Sequence, residues 1–329
     1  MAFTLADMKQ GMNDKVYDQV VDIFLRKSEI LQVLPFDDCV ASGGPGSTLT
    51  YSYERKVLPS TASFRAINSE YAHSAATMEK KSADLKIFGG EFEIDRVLKQ
   101  AEGRFNNMAF QMEEKIAAAV SLFHYTMING NSSTTNEFDG LDKMLLGTTS
   151  EFGTGSVIDL SNITNIKANA DEFYESLTKL IRDTHADALL MNSDTIVKVQ
   201  TVARLLGYRT ETEEAFGKKV VSMDGVRFMD LGNHYTVSES TATANPIVKK
   251  GIARTVSTAQ TGLTDIYAVK FSVNDGFHGI SMNGGKVINQ YLPDFSQPGA
   301  VKKGEIEMVA ACVLKNTANA GVLRNIKIA

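Results

Sequence analysis

Between one alternating run, LTYSY at Leu49–Tyr53, and another, Asp84–Asp95, the chain carries VLPSTASFRAINSEYAHSAATMEKKSA, with few large apolar residues and no sustained period. Connections without structure longer than about 12 to 15 residues are uncommon inside compact domains. In the first run Leu49, Tyr51 and Tyr53 share a face, and in the second Leu85, Ile87, Phe92 and Ile94 alternate on either side of Gly89-Gly90. Both have the strand period of two. Two strands joined by a long polar tip make an extended hairpin, which alone buries too little surface to offset the entropy of ordering it. The expectation is that another molecule supports it.

The rest of the chain divides around one long helix. From Asp14 to Leu34, Val16, Val20, Ile23 and Phe24 recur at helical spacing, followed by Ile30 and Leu31 before Pro35 stops the pattern. GGPG at Gly43–Gly46 is a hard break. Over Arg104–Asn129, Phe105, Met108, Met112, Ile116, Val120, Phe123 and Met127 keep steps of three or four, with Glu113, Glu114 and Lys115 on the opposite face. At 1.5 Å per residue this predicts a spine of about 38 Å. Its core stripe is Phe105, Met108, Met112, Ile116, Val120 and Phe123.

Beyond it, VIDLSNITN alternates weakly, and DEFYESLTKLIRDTH puts Phe173, Leu177, Leu180 and Ile181 on one helical stripe. ADALLMN reads as a short buried strand, and SDTIVKVQTVARLLG as a helix with Ser193 as N-cap and Gly207 as C-cap. KKVVSMDGVRFMDLG gives two strands around a turn at Asp224-Gly225. DIYAVKFSV, FHGISM, KVINQYL, GEIEMVAACVL and VLRNIKI read as further strands, so the class is α+β.

At 329 residues and 43 % hydrophobic the chain can bury a sizeable core, with about two domains expected from its length. No stretch approaches the roughly 18 consecutive apolar residues of a membrane helix, and the polar-leading start lacks a signal-peptide layout. The chain is therefore expected inside the cell that makes it, with no membrane partner. Cys39 and Cys312 show no ligand spacing and read as small buried hydrophobes. A net charge of -5 argues against a protein whose main task is gripping nucleic acid, though not against one lining a container of it.

No catalytic or metal constellation emerges. NGNSSTTNEFDGLDKML, from Asn129, is rich in oxygens, yet its sixth residue is Thr134 and its twelfth Gly140, where a calcium loop needs glycine and glutamate. It reads as a connection with a turn at Asp139-Gly140. The run from Gly279 to Val287 resembles a phosphate loop only superficially, since Lys286 is one residue late and Val287 replaces the hydroxyl. GTGS at Gly153–Ser156 is neither a nucleophile elbow nor a dinucleotide fingerprint. His73, His124, His185, His234 and His278 are scattered and read as structural or solvated. Glu113 and Glu114 diverge by about 100 degrees on a helix, so they are no carboxylate dyad. No cofactor is expected.

The order of elements, with the FDGL turn at Phe138–Leu141, the ALLMNSDTIVKVQTVARLLG unit and the closing GEIEMVAACVL strand, resembles the major capsid proteins of tailed bacteriophages. This Hong Kong 97-type fold is shared with encapsulin shells. The resemblance covers essentially the whole chain. It implies an N-terminal arm at 1–46 and an extended loop at 47–95. A peripheral domain would take 96–156 and 284–316, with the spine at 104–129, and an axial domain 157–283 and 317–329.

The implied function is a virion shell subunit, assembled in the host cytoplasm into pentamers and hexamers around double-stranded DNA. Implied partners are further copies of the chain, a scaffolding protein, a portal and decoration proteins. The extended loop would lie on a neighbouring copy, with Lys56, Arg65, Glu70, Lys80 and Lys81 as its candidate contact residues. Some relatives cross-link a lysine to an asparagine with a glutamate assisting, but those positions do not match here. Relatives often start with a long scaffolding segment, whereas this chain starts almost at the arm, which implies a removed segment or a separate scaffold. The alternatives are an encapsulin-like nanocompartment, an enzyme with an unrecognised active site, or a surface adhesin or tail protein, against which the long spine counts.

Overall fold

The computed structural model describes residues 28–40, 48–100, 107–134, 136–207, 211–215, 218–223, 225–238, 241–282 and 287–329. Most of the helix predicted from Asp14, the Gly43–Gly46 break, Arg104, Phe105, Asp224 and the 283–286 turn lie outside them.

The spine helix runs over Asn107–Asn129, built from strong helix formers including Ala117–Ala119 and free of glycine and proline. Met112, Ile116, Val120, Phe123 and Met127 are buried, Met108 is half-buried, and Glu113 and Glu114 are exposed. Phe123 packs with Phe36, Phe88 and Phe138 at ring-centroid distances of 6.4, 5.9 and 6.0 Å. The sheet beneath the helix has five strands, in the order Phe36–Cys39, Phe277–Met282, Val301–Leu314 and Ile288–Tyr291, with Lys86–Asp95 also paired to Val301–Leu314.

That last pairing corrects the hairpin read from the sequence. Thr50–Leu58 pairs antiparallel with Thr77–Asp84, from Thr50↔Asp84 to Leu58↔Thr77. Lys86–Asp95 instead lies along Val301–Leu314, from Lys86↔Ala310 to Asp95↔Val301. The division falls at Leu85, which is buried and whose N–H donates to the Leu49 carbonyl at 2.7 Å. Past it, Phe92 and Ile94 are buried while Glu91 and Glu93 are exposed, the alternation of a strand with one covered face.

The spine ends at Gly130, where an added Cβ would lie 2.3 Å from the Phe138 carbonyl oxygen. A Cβ added at Gly140, in the FDGL turn, would lie 2.5 Å from the Ile128 carbonyl oxygen, and the Gly140 N–H donates to the Gly130 carbonyl at 2.8 Å. The two glycines thus pinch the neck of the polar loop. Gly140 then N-caps a short helix, Leu141–Leu145, so the predicted connection leads straight into an element.

A second, nine-stranded sheet carries two helices, Ile163–Thr184 and Ser193–Leu205. Its main path runs Glu151–Phe152, Ala320–Lys327, Thr258–Val269, Ala188–Leu190, Val226–Met229, Lys218–Met223, Glu211–Ala215. The weak alternation of VIDLSNITN yields only Ile158–Asp159. Asn162 then caps the longer helix, accepting from the Asn165 N–H at 2.9 Å. Asn192, not Ser193, is the N-cap of the second helix, because its carboxamide accepts from the Thr195 N–H at 2.9 Å. Leu206 is the C-cap and Gly207 follows it at φ +80, the left-handed position glycine favours. The strands Asn233–Ser238 and Thr241–Pro246, largely exposed and polar, and the half-buried Ile252–Val256 gave no strand signal in the sequence.

The central strands of this sheet are buried on both faces. Ala188, Leu190, Tyr267, Val269 and Val322 belong to the core around the spine. Their neighbours Leu189, Ile266, Ala268 and Leu323 belong to the core under the two helices, with Phe173, Leu177, Leu180 and Val199. One sheet is therefore the common wall of two cores, which is why Ala188–Met191 within ADALLMN is a continuous apolar run.

Candidate assembly interface

Among the described residues the hairpin strands pair only with each other. Near its base Tyr51, Tyr53 and Arg55 are half-buried against the body, while Ser52, Glu54 and Lys56 face outward. From Lys56 through Ala72 every residue is exposed. Phe64 is 107 % and Ile67 91 % exposed, with Tyr71 and Met78 also in solvent. What order the tip has comes from small local bonds. The Thr61 N–H donates to Ser74 Oγ at 2.8 Å, the Ser69 N–H donates to the Ala66 carbonyl at 3.2 Å, and Arg65 lies 5.2 Å from the Tyr71 ring centroid.

The proposed contact residues divide by face. Lys80 stands opposite Glu54 and Lys56 opposite Met78, on the outward side. Lys81 stands opposite Tyr53 on the side toward the body, and its ammonium is tied to Glu79 at 2.6 Å. Arg65 and Glu70 are exposed in the tip, away from these strands.

The acids of the polar loop are satisfied locally. Lys143 Nζ reaches Asp139 at 2.7 Å and donates to Asn131 Oδ1 at 2.9 Å and Ser132 Oγ at 2.8 Å. The Ser132 N–H donates to Asp139 at 2.7 Å and the Asn131 N–H to Glu137 at 3.2 Å. Partial burial alone would raise the Asp139 pKa, but the bonds from Lys143 and Ser132 outweigh it and hold the carboxyl below its usual range.

Sequence reasoning missed a buried charge cluster. Arg324 and Asp265 lie inside the apolar strands Ala320–Lys327 and Thr258–Val269, and both are buried. Arg324 donates to Glu151 at 2.8 Å, to Asp265 at 3.0 Å and to Asp142 on the short helix. Arg254 grips Asp265 through two bonds of 2.6 Å, and the Tyr267 hydroxyl donates to Asp142 at 3.0 Å. Burial opposes the Arg324 charge, yet Tyr267, Asp142 and Asp265 together raise its pKa. The available signal was an arginine and an aspartate within apolar runs, since a buried charge must be paired.

The histidines do not converge. His73 is exposed, and His185 caps a helix in the left-handed region at φ 50. His234 stacks on Tyr125 at 4.9 Å. His278 is buried edge-on to Tyr51 at 5.9 Å. His124 lies between Ser28 Oγ, 2.6 Å from Nε2, and the Leu231 carbonyl, 3.3 Å from Nδ1, and burial pushes its pKa down to about 4. Cys39 and Cys312 are buried free thiols, pushed up by burial, Cys39 to about 11. Among the described residues no group of three or more His, Cys, Asp or Glu is placed to hold a metal ion, and no helix is long and apolar enough to cross a membrane.

No family model matches the sequence, and no curated protein matches it. Solved structures do. The chain is similar to the holo-SrpI encapsulin complex from Synechococcus elongatus PCC 7942, with a TM-score of 0.56 at 10 % identity over 91 % of this chain and 87 % of that one. It is similar to the capsid of a native GTA particle, with a TM-score of 0.56 at 12 % identity over 92 % and 91 %. It is also similar to a virus-like particle from Pyrococcus furiosus, with a TM-score of 0.50 at 10 % identity over 94 % and 98 %. At such identities the likeness is one of fold, and it covers about nine-tenths of the chain. This α+β chain has the Hong Kong 97-type capsid fold.

Proposed function

We propose that the chain is a major capsid protein, a structural subunit that assembles with further copies into the pentamers and hexamers of an icosahedral head around double-stranded DNA. The observation that carries this reading is the hairpin tip: Phe64 and Ile67 stand in solvent on a ribbon with no core of its own. Isolated two-stranded ribbons are at best marginally stable in water. A second copy lying against the tip would cover these side chains and supply what the ribbon lacks, with Lys56, Arg65, Glu70, Lys80 and Lys81 at the edges of the contact. The fold's likeness to capsids and an encapsulin supports the same role, which is mechanical rather than catalytic.

On this reading 96–156 and 284–316, which hold the spine, are the peripheral domain. The stretches 157–283 and 317–329, which hold most of the nine-stranded sheet, are the axial domain, and 1–46 is the arm, although Phe36–Cys39 and Phe277–Met282 lie in the sheet beneath the spine and Glu151–Phe152 in the nine-stranded one. Repetition of modest contacts around closed symmetry axes would make the particle stable. A scaffolding protein, a portal and decoration proteins complete the set of partners, and assembly takes place in the host cytoplasm.

The test is to replace Pro59–Ala76 with a two-residue turn. The expected outcome is a folded, soluble subunit that forms no particles by negative-stain microscopy, while the intact chain forms closed shells. Normal shells from the shortened chain would overturn the reading. An encapsulin-like compartment is the second reading, because the TM-score of 0.56 to an encapsulin equals that to the GTA capsid. Nuclease-protected DNA inside purified particles separates a head from a protein-filled compartment.

A further inference from the structure

We infer that Arg55 is a clamp that sets the direction in which the hairpin leaves the body, making the ribbon a rigid lever instead of a tether. The ribbon belongs to neither large sheet, and Leu85 alone separates its strand Thr77–Asp84 from Lys86–Asp95. A ribbon that pairs with neither sheet can swing about Leu85 unless side chains hold it. Those side chains sit on one face of Thr50–Leu58, where Tyr51, Tyr53 and Arg55 alternate toward the body.

All three reach the far end of strand Val301–Leu314 or its neighbours. The Tyr51 hydroxyl donates to Asp37 Oδ2 at 2.5 Å, and its ring lies 5.3 Å from Lys315 Nζ. The Tyr53 hydroxyl is 3.4 Å from the Leu314 carbonyl oxygen. Arg55 makes the shorter pair of bonds: Nε donates to the Lys315 carbonyl at 2.8 Å and Nη2 to the Leu314 carbonyl at 2.7 Å. A planar guanidinium bound to two successive peptide oxygens fixes an angle as well as a distance, which a single contact does not. Arg55 is also the outermost of the three, so its grip acts with the longest arm about Leu85. Beyond it the ribbon is exposed.

The consequence for assembly rests on the shell reading, but the clamp itself is a property of one chain. The measurement is a spin-label distance distribution between Ser63→Cys at the tip and Glu113→Cys on the spine. Labelled full-length chain is diluted in excess unlabelled chain, so that only distances within one molecule are read. Both positions are exposed, and the native cysteines are buried. A narrow distribution is expected in the parent and one at least twice as broad in Arg55→Met, with the same thermal midpoint within a few degrees. Arg55→Lys, which keeps the charge but loses the fork, is expected to broaden it as well.

Equal widths in parent and Arg55→Met, or a broad distribution already in the parent, would overturn the clamp. Should Arg55→Met unfold, Arg55→Lys in a folded chain decides between the same two results. If the width responds while the parent never closes into particles, the clamp stands and the shell reading fails. If the parent forms shells and the width does not respond, the reverse holds.

Discussion

At the scale of single residues, the sharpest consequence comes from His124. Held neutral between Ser28 and Leu231, it titrates near 4 in the folded chain against an ordinary value of 6.5. The unfolded chain therefore takes up a proton before the folded one does. The stability tied to His124 is whole above pH 6.5, declines as the pH falls, and is gone below about 4. The depression corresponds to about 3 kcal/mol. Urea unfolding between pH 7 and 4 should therefore show a steeper loss in the parent than in His124→Gln, and parallel slopes would contradict the assignment. His124 was visible in the sequence only as one histidine on the spine. Its partners lie in segments far along the chain, so no spacing rule exposes them. The same holds for Arg324, whose three carboxylates come from three separate elements.

At the scale of elements, legibility followed the strength of local periodicity. The spine could be read because its stripe repeats over many turns, and the burial of Met112, Ile116, Val120 and Phe123 gives that stripe its physical content. Met112→Asp puts a carboxylate on this face without a partner and should lower stability by about 3 to 5 kcal/mol. Chemical unfolding checks this, and an unchanged midpoint would place the residue on the wrong side of the helix. The hairpin is legible in kind but not in pairing. Thr77–Asp84 is polar and carries little alternation, whereas Lys86–Asp95 alternates clearly, so pattern alone chose the wrong return strand. What decides is the partner Val301–Leu314, which local sequence does not contain. The shift from Ser193 to Asn192 as cap is of the same sort: both residue types cap well, and backbone geometry selects one.

For the molecule as a whole, the shared wall between the two cores matters most. A sheet buried on both faces couples the spine's body to the helices Ile163–Thr184 and Ser193–Leu205. Arg324 sits in that wall, joined to Asp265 within it and to Asp142 on the short helix after the spine. Arg324→Met takes a partner from Glu151, from the half-exposed Asp142 and from the buried Asp265, which keeps Arg254, and should cost about 3 kcal/mol. Hydrogen exchange should show protection falling together in the spine and in Ile163–Thr184. Loss confined to one of them would mean that the bodies unfold independently.

The hairpin tip has one more effect, in mixtures. Its exposed side chains take no part in either core, so a chain lacking the tip keeps every other surface intact. On the shell reading, such a chain accepts an arm from one neighbour and offers none to the next. Added in small proportion to intact chains, it would act as a poison, joining growing particles and halting them at each point of entry.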